Sequence, residues 1–588
     1  MKYLTVIACL IFSTVYSEGK EPFELKEILI TGTRLNVNNP FLISADTSES
    51  FNLCAEDALS GISEIDIQQR GTFGIQTDYS IRGSSFQQTA VLLDGIKIND
   101  SQTAHFNCDI PVPFVLLQSI DILPGQGSAI YGSSAMCGTL DVKTKLAETN
   151  YFFLKIYTSS YNTFYTGGTL SLTLPKSYIL LSADGSSSDG YSYDMDFRRY
   201  AAAIKAGYEQ TEFSSDFYAG YTEKDFGAYD FYTPGKNKPS REKTGSFLVS
   251  SSNILFLQKD TVNISLSYKR HLDDFILTLL NPSAYRNLHV LNDTKLNLSF
   301  SPFFENGIKT VFGFSYGLAS LDSSNLGKRQ EEYPGISVET YFPLTEKYSL
   351  SAALLLESRK QLCETAESLG FSFQPDNATD IKLSAGRSFR FPSFTELYYT
   401  DPYNIGNDNL AAEKAYSAEL GIASKLCTEI KGSLSFFYRY QKDLIDWVQD
   451  SGLWKVQNIG TSDFYGASAA FDFKISKNDG ANISYSFTRA ITGTIYISKY
   501  ALNFPEHKLN INLNIMLPFE ITLNIPALFI IRNTTGAYET LSLNASRKID
   551  NAKLTVGINN VFDRQYQDIA GVTQPGRTIF LGAEVYFK

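Results

Sequence analysis

From Tyr151 onward, short stretches of alternating apolar and polar residues recur along this 588-residue chain, divided by Gly, Asn, Asp, Ser and Pro. A period of two marks strands with two unlike faces. The last stretch is the clearest. Ile579, Leu581, Ala583, Val585 and Phe587 fall on one face, and Phe580, Gly582, Glu584 and Tyr586 on the other. The first set suits lipid and the second a polar lumen. A transmembrane strand with its turn or loop takes about twenty residues, so the chain after residue 150 divides into roughly 22 such units. The pattern predicts a transmembrane antiparallel β-barrel. A soluble sandwich would share the period but not this number of strands. The repetition is of hairpins, not of a fixed sequence. Residues 185–199 and 225–243 are polar and are candidate extracellular loops.

Ahead of these strands the texture changes. Val91-Leu92-Leu93 and Ile96-Lys97-Ile98 flank Asp94-Gly95. That pair favours a two-residue hairpin turn, because both central residues take positive φ. Ile120 and Ile122 alternate with Ser119 and Asp121, and Pro124-Gly125 ends the run. Gly125, Gly127, Gly132 and Gly138 then crowd a short stretch, where backbone passes close to backbone. Gly125-x-Gly127 lacks the third glycine and the Lys-Ser/Thr of a phosphate loop. A small α+β domain with tight turns is expected.

Composition narrows the class. Residues 1–17 carry Lys2, an apolar run and a Val15-Tyr16-Ser17 end, the form of a secretory signal peptide. Later in the chain there is no apolar run long enough for a spanning helix. Tyr (36) and Phe (42) are abundant, as in a barrel with aromatic girdles. A net charge of −11 argues against nucleic acid as a partner. After residue 17, Cys54, Cys108, Cys137, Cys363 and Cys427 have no metal spacing and read as isolated small hydrophobes. The four His (105, 271, 289, 507) have no metal-helix spacing, and no nucleophile elbow accompanies them. Catalysis is not expected.

Two early segments carry a family resemblance. One is Ser80-Ile81-Arg82-Gly83 followed by the Asp94-Gly95 hairpin and Asn99-Asp100. The other is Ser119 to Gly125, then Ser128-Ala129-Ile130-Tyr131-Gly132 and Gly138 to Lys143. Together they resemble the plug domain of TonB-dependent outer-membrane receptors, with Arg82, Gly83, Asp94, Gly95, Gly125, Tyr131, Gly132 and Gly138 as its signature. Glu27-Ile28-Leu29-Ile30-Thr31-Gly32 is similar to the TonB box, which pairs as an added strand with the periplasmic transducer. Ser388 to Tyr398, Gly406 to Leu410, Glu413-Lys414, Leu444 to Trp447, Asn458-Ile459, Asn559 to Asp563, Tyr566 and Pro575 to Arg577 are similar to the family's barrel motifs. The resemblance implies a signal peptide at 1–17, a TonB-box segment and linker at 18–39, a plug at 40–147 inside the lumen, and a barrel of about 22 strands at 148–588. It implies the bacterial outer membrane as location. The expected partners are the TonB transducer, outer-membrane lipid, the barrel-insertion machinery and a small-molecule ligand, and the chain is expected to act as a monomer. One departure is Lys588, which follows the terminal aromatic Phe587 that the insertion machinery would recognise.

For the ligand, Gln102 to Asn107, Asp225 to Tyr232 and Asn281 to His289 look like the cobalamin-receptor branch. The resemblance implies contacts from His105, Phe106, Asn107, Tyr229, Tyr285, Arg286, Asn287 and His289. His105 reads equally well as a hydrogen-bonded structural histidine, and Tyr285 as a strand-end girdle residue. The branch also implies calcium held by loop carboxylates, here Asp189, Asp194 and Asp196, with no cofactor required. A ferric siderophore or haem is the alternative ligand. A passive porin, barrel adhesin or barrel enzyme is the alternative class.

Overall fold

The computed structural model describes residues 42–47, 51–232, 237–492 and 498–588. Residues 27–32 lie outside them. From Tyr151 to Phe587 the chain forms a closed antiparallel barrel of 22 strands. Closure is direct: the last strand, Thr578–Phe587, pairs with the first, Tyr151–Ser159, from Phe580↔Ser159 to Phe587↔Phe152. A closed sheet leaves no unpaired edge, and lipid offers no other partner for backbone polar groups. Among the described residues no helix is long and apolar enough to cross a membrane.

The alternation read in the sequence sets the two faces. In the last strand Ile579 and Leu581 are exposed while Phe580 and Glu584 are buried in the lumen. In Asp260–Ile276, Leu266 faces out, and Ser267, Lys269, His271 and Asp273 face in. Connections on one side are short, as at 175–176, 211–212 and 258–259; the other side carries the long ones, as at 391–412 and 560–577, beside tight turns such as 360–361 and 451–452. Short turns belong to the periplasm and long loops to the exterior. The strands reach further than the sequence suggested, so the loops expected at 185–199 and 225–243 shrink to 189–196 and 228–240.

The lumen is filled by the N-terminal part of the chain. Its strands are β1 (Ile43–Asp46), β2 (Ile65–Gln69), β3 (Thr77–Ile81), β4 (Thr89–Leu93), β5 (Ile96–Lys97), β6 (Leu117–Pro124) and β7 (Gly138–Thr144). Five form one sheet in the order β1-β6-β7-β4-β5, with β4 and β7 parallel, and β2 and β3 form a separate hairpin. Helices α1 (Ala55–Leu59) and α2 (Ser128–Tyr131) flank them. Ile65, Ile81, Ile120, Ile122, Leu140 and Val142 make the core. The β4–β5 turn is as the sequence predicts, with Asp94 at φ 48° and Gly95 at φ 80°. At Gly138 a Cβ would lie 2.6 Å from Ile81 Cδ1 and 2.8 Å from the Leu123 carbonyl oxygen, so glycine is required. The five cysteines among the described residues are free, with Cys108 and Cys137 buried and Cys363 and Cys427 exposed.

Candidate functional site

After β5 the chain runs as a strap, residues 99–109, across the extracellular side of the plug. Asn99 ties its start to β4, accepting from Val91 N at 2.9 Å and donating to Thr89 O at 3.0 Å. The barrel holds the rest. Lys269 donates to Ile98 O at 2.9 Å and pairs with Asp100 at 3.2 Å; Lys224 pairs with Asp109 at 2.8 Å, and His271 Nε2 lies 2.9 Å from Asp109. These are charges buried with their partners, the arrangement that burial of charge demands. Burial pushes the Asp109 carboxyl up, but Lys224 and His271 outweigh it and hold it well below its ordinary range.

His105 sits mid-strap, buried, with Nδ1 2.7 Å from Asp78 Oδ1. Arg70 pairs with the other Asp78 oxygen at 2.8 Å. Burial lowers the His105 pKa from its ordinary value, and the opposing pull of Asp78 does not reverse it. The His105 ring stacks on Phe86 at 4.2 Å and meets Tyr500 edge-on at 5.3 Å and Tyr232 at 6.2 Å. Tyr500 belongs to the loop after strand Gly480–Thr492, and its neighbour Lys499 lies among three rings: Trp447 at 5.6 Å, Trp454 at 5.7 Å and Tyr500 at 5.3 Å. Trp447 meets Tyr399 at 6.2 Å, the Tyr399 and Tyr285 hydroxyls are 2.6 Å apart, and Asn287 Nδ2 donates to Tyr285 Oη at 3.2 Å. The plug apex and five extracellular segments therefore share one rim of aromatic rings, hydroxyls and an amide. Such a rim grips a large polar ligand by ring faces and hydrogen bonds.

The expected contacts divide. His105, Tyr285 and Asn287 join the rim. Phe106 and Asn107 are buried under it: Phe106 packs on the His271 ring at 4.6 Å, and Asn107 Oδ1 accepts from Asp100 N at 2.9 Å. His289 faces the lumen but is buried, 2.7 Å from Ser323 Oγ. Arg286 does not join the rim. The strand Arg286–Ser301 alternates faces, so with Asn287 and His289 turned inward Arg286 points out, donating to Asp274 at 2.7 Å. Tyr229 faces Tyr193, ring centroids 5.6 Å apart, in the adjoining loops. The three aspartates do not converge. Asp189 accepts from Asn162 at 2.7 Å and Asp196 pairs with Arg241 at 2.8 Å. Burial and the neighbouring Asp196 push the Asp194 carboxyl up to about 6. Among the described residues no group of three or more acidic, His or Cys side chains is arranged to hold a metal.

The plug signature residues are structural. Arg82 bridges Glu64 in the plug and Glu419 in the wall, each at 2.7 Å, and Asp94 pairs with Lys205 at 3.1 Å. Gly83, Gly125 and Gly132 hold positive φ, and the Tyr131 carbonyl accepts from Lys97. Below the rim, helix α3 (Phe394–Tyr398) begins the loop 391–412. Arg390 donates to Glu413 at 2.7 Å and to both oxygens of Glu396 at 2.8 and 3.0 Å, while Gln88 of the plug donates to Glu413 at 3.0 Å. Sequence reasoning did not assign Tyr399, Trp447, Trp454, Lys499 or Tyr500 to the ligand. One signal was available: both tryptophans of the chain flank the Ser451-Gly452 turn.

A closed barrel with a filled lumen and an aromatic extracellular rim defines a gated outer-membrane protein. Residues 143–561 match the family described as TonB dependent receptor-like, beta-barrel, and residues 43–139 the TonB-dependent Receptor Plug Domain. The chain belongs to the TonB-dependent receptor family and is an outer-membrane transporter of that family. Among curated relatives, the vitamin B12 transporter BtuB of Vibrio vulnificus (strain YJ016) is 21% identical over 551 residues, covering 87% of this chain and 86% of that protein. The fold is also that of the siderophore receptor PirA of Pseudomonas aeruginosa, with TM-score 0.76, 15% identity and coverage of 94% of this chain and 100% of that one. The FrpB iron transporter of Neisseria meningitidis gives TM-score 0.79 at 12% identity, with 93% and 99% covered.

Proposed function

We propose that this transporter carries cobalamin or a related corrinoid, captured at the extracellular rim and drawn inward when the TonB transducer pulls on Glu27–Gly32. The chemistry of the rim carries the reading. It offers the half-buried rings of Tyr232, Tyr399, Trp454 and Tyr500, backed by the buried Trp447 and Asn287, and among its described residues the cation enclosed by three of these rings is Lys499. A corrinoid is large, amide-rich and nearly neutral, and such groups match it. An anionic ferric chelate would call for several free cations, yet Arg70 and Arg390 are committed to buried carboxylates and Arg286 points outward. Haem would call for a free imidazole, yet His105, His271 and His289 are each engaged. The likeness to B12 transporters along most of the chain supports the same choice.

Calorimetry on purified protein tests it. Cyanocobalamin should bind saturably at micromolar concentration or tighter, and Trp454→Ala with Tyr500→Ala should weaken it roughly tenfold or more, as loss of central aromatic contacts does. A ferric catecholate should show no saturable binding. Tight binding of the chelate with none of cyanocobalamin would overturn the corrinoid reading.

A further inference from the structure

A cavity of about 1460 Å³ lies beside the plug, along the wall made by the strands between residues 197 and 359. Its lower end is framed by the periplasmic turns, at Lys259, Phe303 and Gly307. Its upper end stops at Ser101, Tyr333 and the segment Phe391–Ser393. Pockets for drug-sized ligands run to roughly 1,000 Å³, so this one can hold a larger solute. The wall carries small neutral hydrogen-bonding groups beside charges that are paired with one another, Lys205 with Asp94 at 3.1 Å and Lys295 with Asp293 at 2.9 Å. Ser252, Ser265, Asn297 and Ser315 form one row across four neighbouring strands, and Asn263 and Ser299 pair beside it.

The roof is thin and made of two pieces. One is the plug strap at Ser101 and Gln102; the other is the start of α3. They meet through two backbone hydrogen bonds, Phe394 N to Ser101 O and Thr395 N to Gln102 O, each 3.0 Å. Each piece is anchored more firmly elsewhere. Asp100 and Asp109 pair with Lys269 and Lys224, and Phe394 is fully buried against Leu291, Ala319 and Leu321 of the wall. Charge-assisted contacts are roughly twice as strong as neutral ones, so the seam is the weakest line of the partition. Tyr399, at the far end of α3, is part of the rim, which puts the seam between the rim and the cavity.

We infer that the solute passes through this seam into the preformed cavity and leaves along the Ser252–Ser315 row. The seam between Ser101–Gln102 and Phe394–Thr395 is thus the gate, and the cavity is a transit site for a large neutral solute rich in amides or hydroxyls. The inference rests on the transport reading but not on which ligand is carried.

Conductance in planar bilayers tests it without any ligand. The wild-type protein should stay closed. Replacing Ser393–Tyr398 with a Gly-Ser linker of equal length should give sustained openings, while the same treatment of Leu279–Ser283 should not. Adding Ser252→Trp to the open variant should at least halve the conductance. A folded, heat-modifiable linker variant that stays closed would overturn the inference, and so would openings that ignore Ser252→Trp but fall with Asn512→Trp on the opposite wall. If the linker variant does not fold, Thr395→Pro decides. It removes the donor to Gln102 at a first-turn position where Pro is tolerated. Openings above the wild-type frequency support the gate, and wild-type frequency overturns it. Cyanocobalamin binding is a separate measurement, so failure of the ligand assignment and failure of the gate are distinct results.

Discussion

His105 is held neutral where it sits. Burial lowers its pKa below the ordinary 6.5; Asp78 pulls the other way, and Arg70 and Lys499 add to the lowering. The unfolded chain takes up a proton as the pH falls through about 6.5, and the folded chain resists it. This residue therefore contributes stability above that pH and loses it progressively below. Thermal denaturation between pH 7.5 and 5.5 should show the wild type losing more than His105→Gln; parallel curves would refute the account. The His105 ring is part of the rim, and its Nδ1 is bound to Asp78. The run Tyr285 to His289 alternates across a barrel wall, so Arg286 points away from the lumen. Only the run's odd-numbered members can reach the lumen, which the period of two in the sequence already implied.

The strands were legible because lipid on one side and a polar lumen on the other impose a strict alternation. The loops were not, since nothing local says which of them meet. The rim joins Tyr285, Tyr399, Trp447 and Tyr500, segments brought together only by closing the barrel. Helix α3 opens on a capping box, Ser393-Phe394-Thr395-Glu396, that the sequence analysis passed over: Glu396 accepts from Ser393 N at 2.7 Å and Ser393 Oγ accepts from Glu396 N at 3.3 Å. The same carboxylate also receives Arg390, so one helix terminus carries both a cap and a buried ion pair. Arg390→Ala would leave Glu396 and Glu413 buried and uncompensated. The expected cost is about 3–5 kcal/mol, read as a large fall in melting temperature or in the amount of folded protein at the surface. Arg390→Lys should rescue only partly, because lysine cannot span both carboxylates with a planar fork. Full stability in Arg390→Ala would show that the network contributes nothing.

The assembled molecule is a plug locked into its barrel on every side. Arg532 meets Asp66 at 2.9 Å, Arg82 meets Glu419, Lys224 meets Asp109, and Lys508 donates to the Ile62 carbonyl at 2.8 Å. Breaking one such buried pair costs about 3–5 kcal/mol, so thermal motion will not free the plug as a unit. Work must be delivered from outside the outer membrane, and β1 is the part of the described plug nearest the chain that would carry it. Strand β1 is four residues long, lies at one edge of the plug sheet, and among the described residues pairs with β6 alone. It borders the lower mouth of the cavity through Leu42, Ser44 and Asp46. A pull on the chain ahead of Leu42 therefore loads β1 first, and β5, at the opposite edge, leads into the strap. The proposed handle is Glu27–Gly32, which would join the transducer as an added strand through its backbone. Ile30→Pro removes an amide donor and fixes φ in that strand. Cells carrying the variant should bind labelled cyanocobalamin at the surface as the wild type does and accumulate almost none, a loss of at least tenfold in uptake. Normal uptake by Ile30→Pro would remove Glu27–Gly32 as the point of coupling and shift the search to the residues between Gly32 and Leu42.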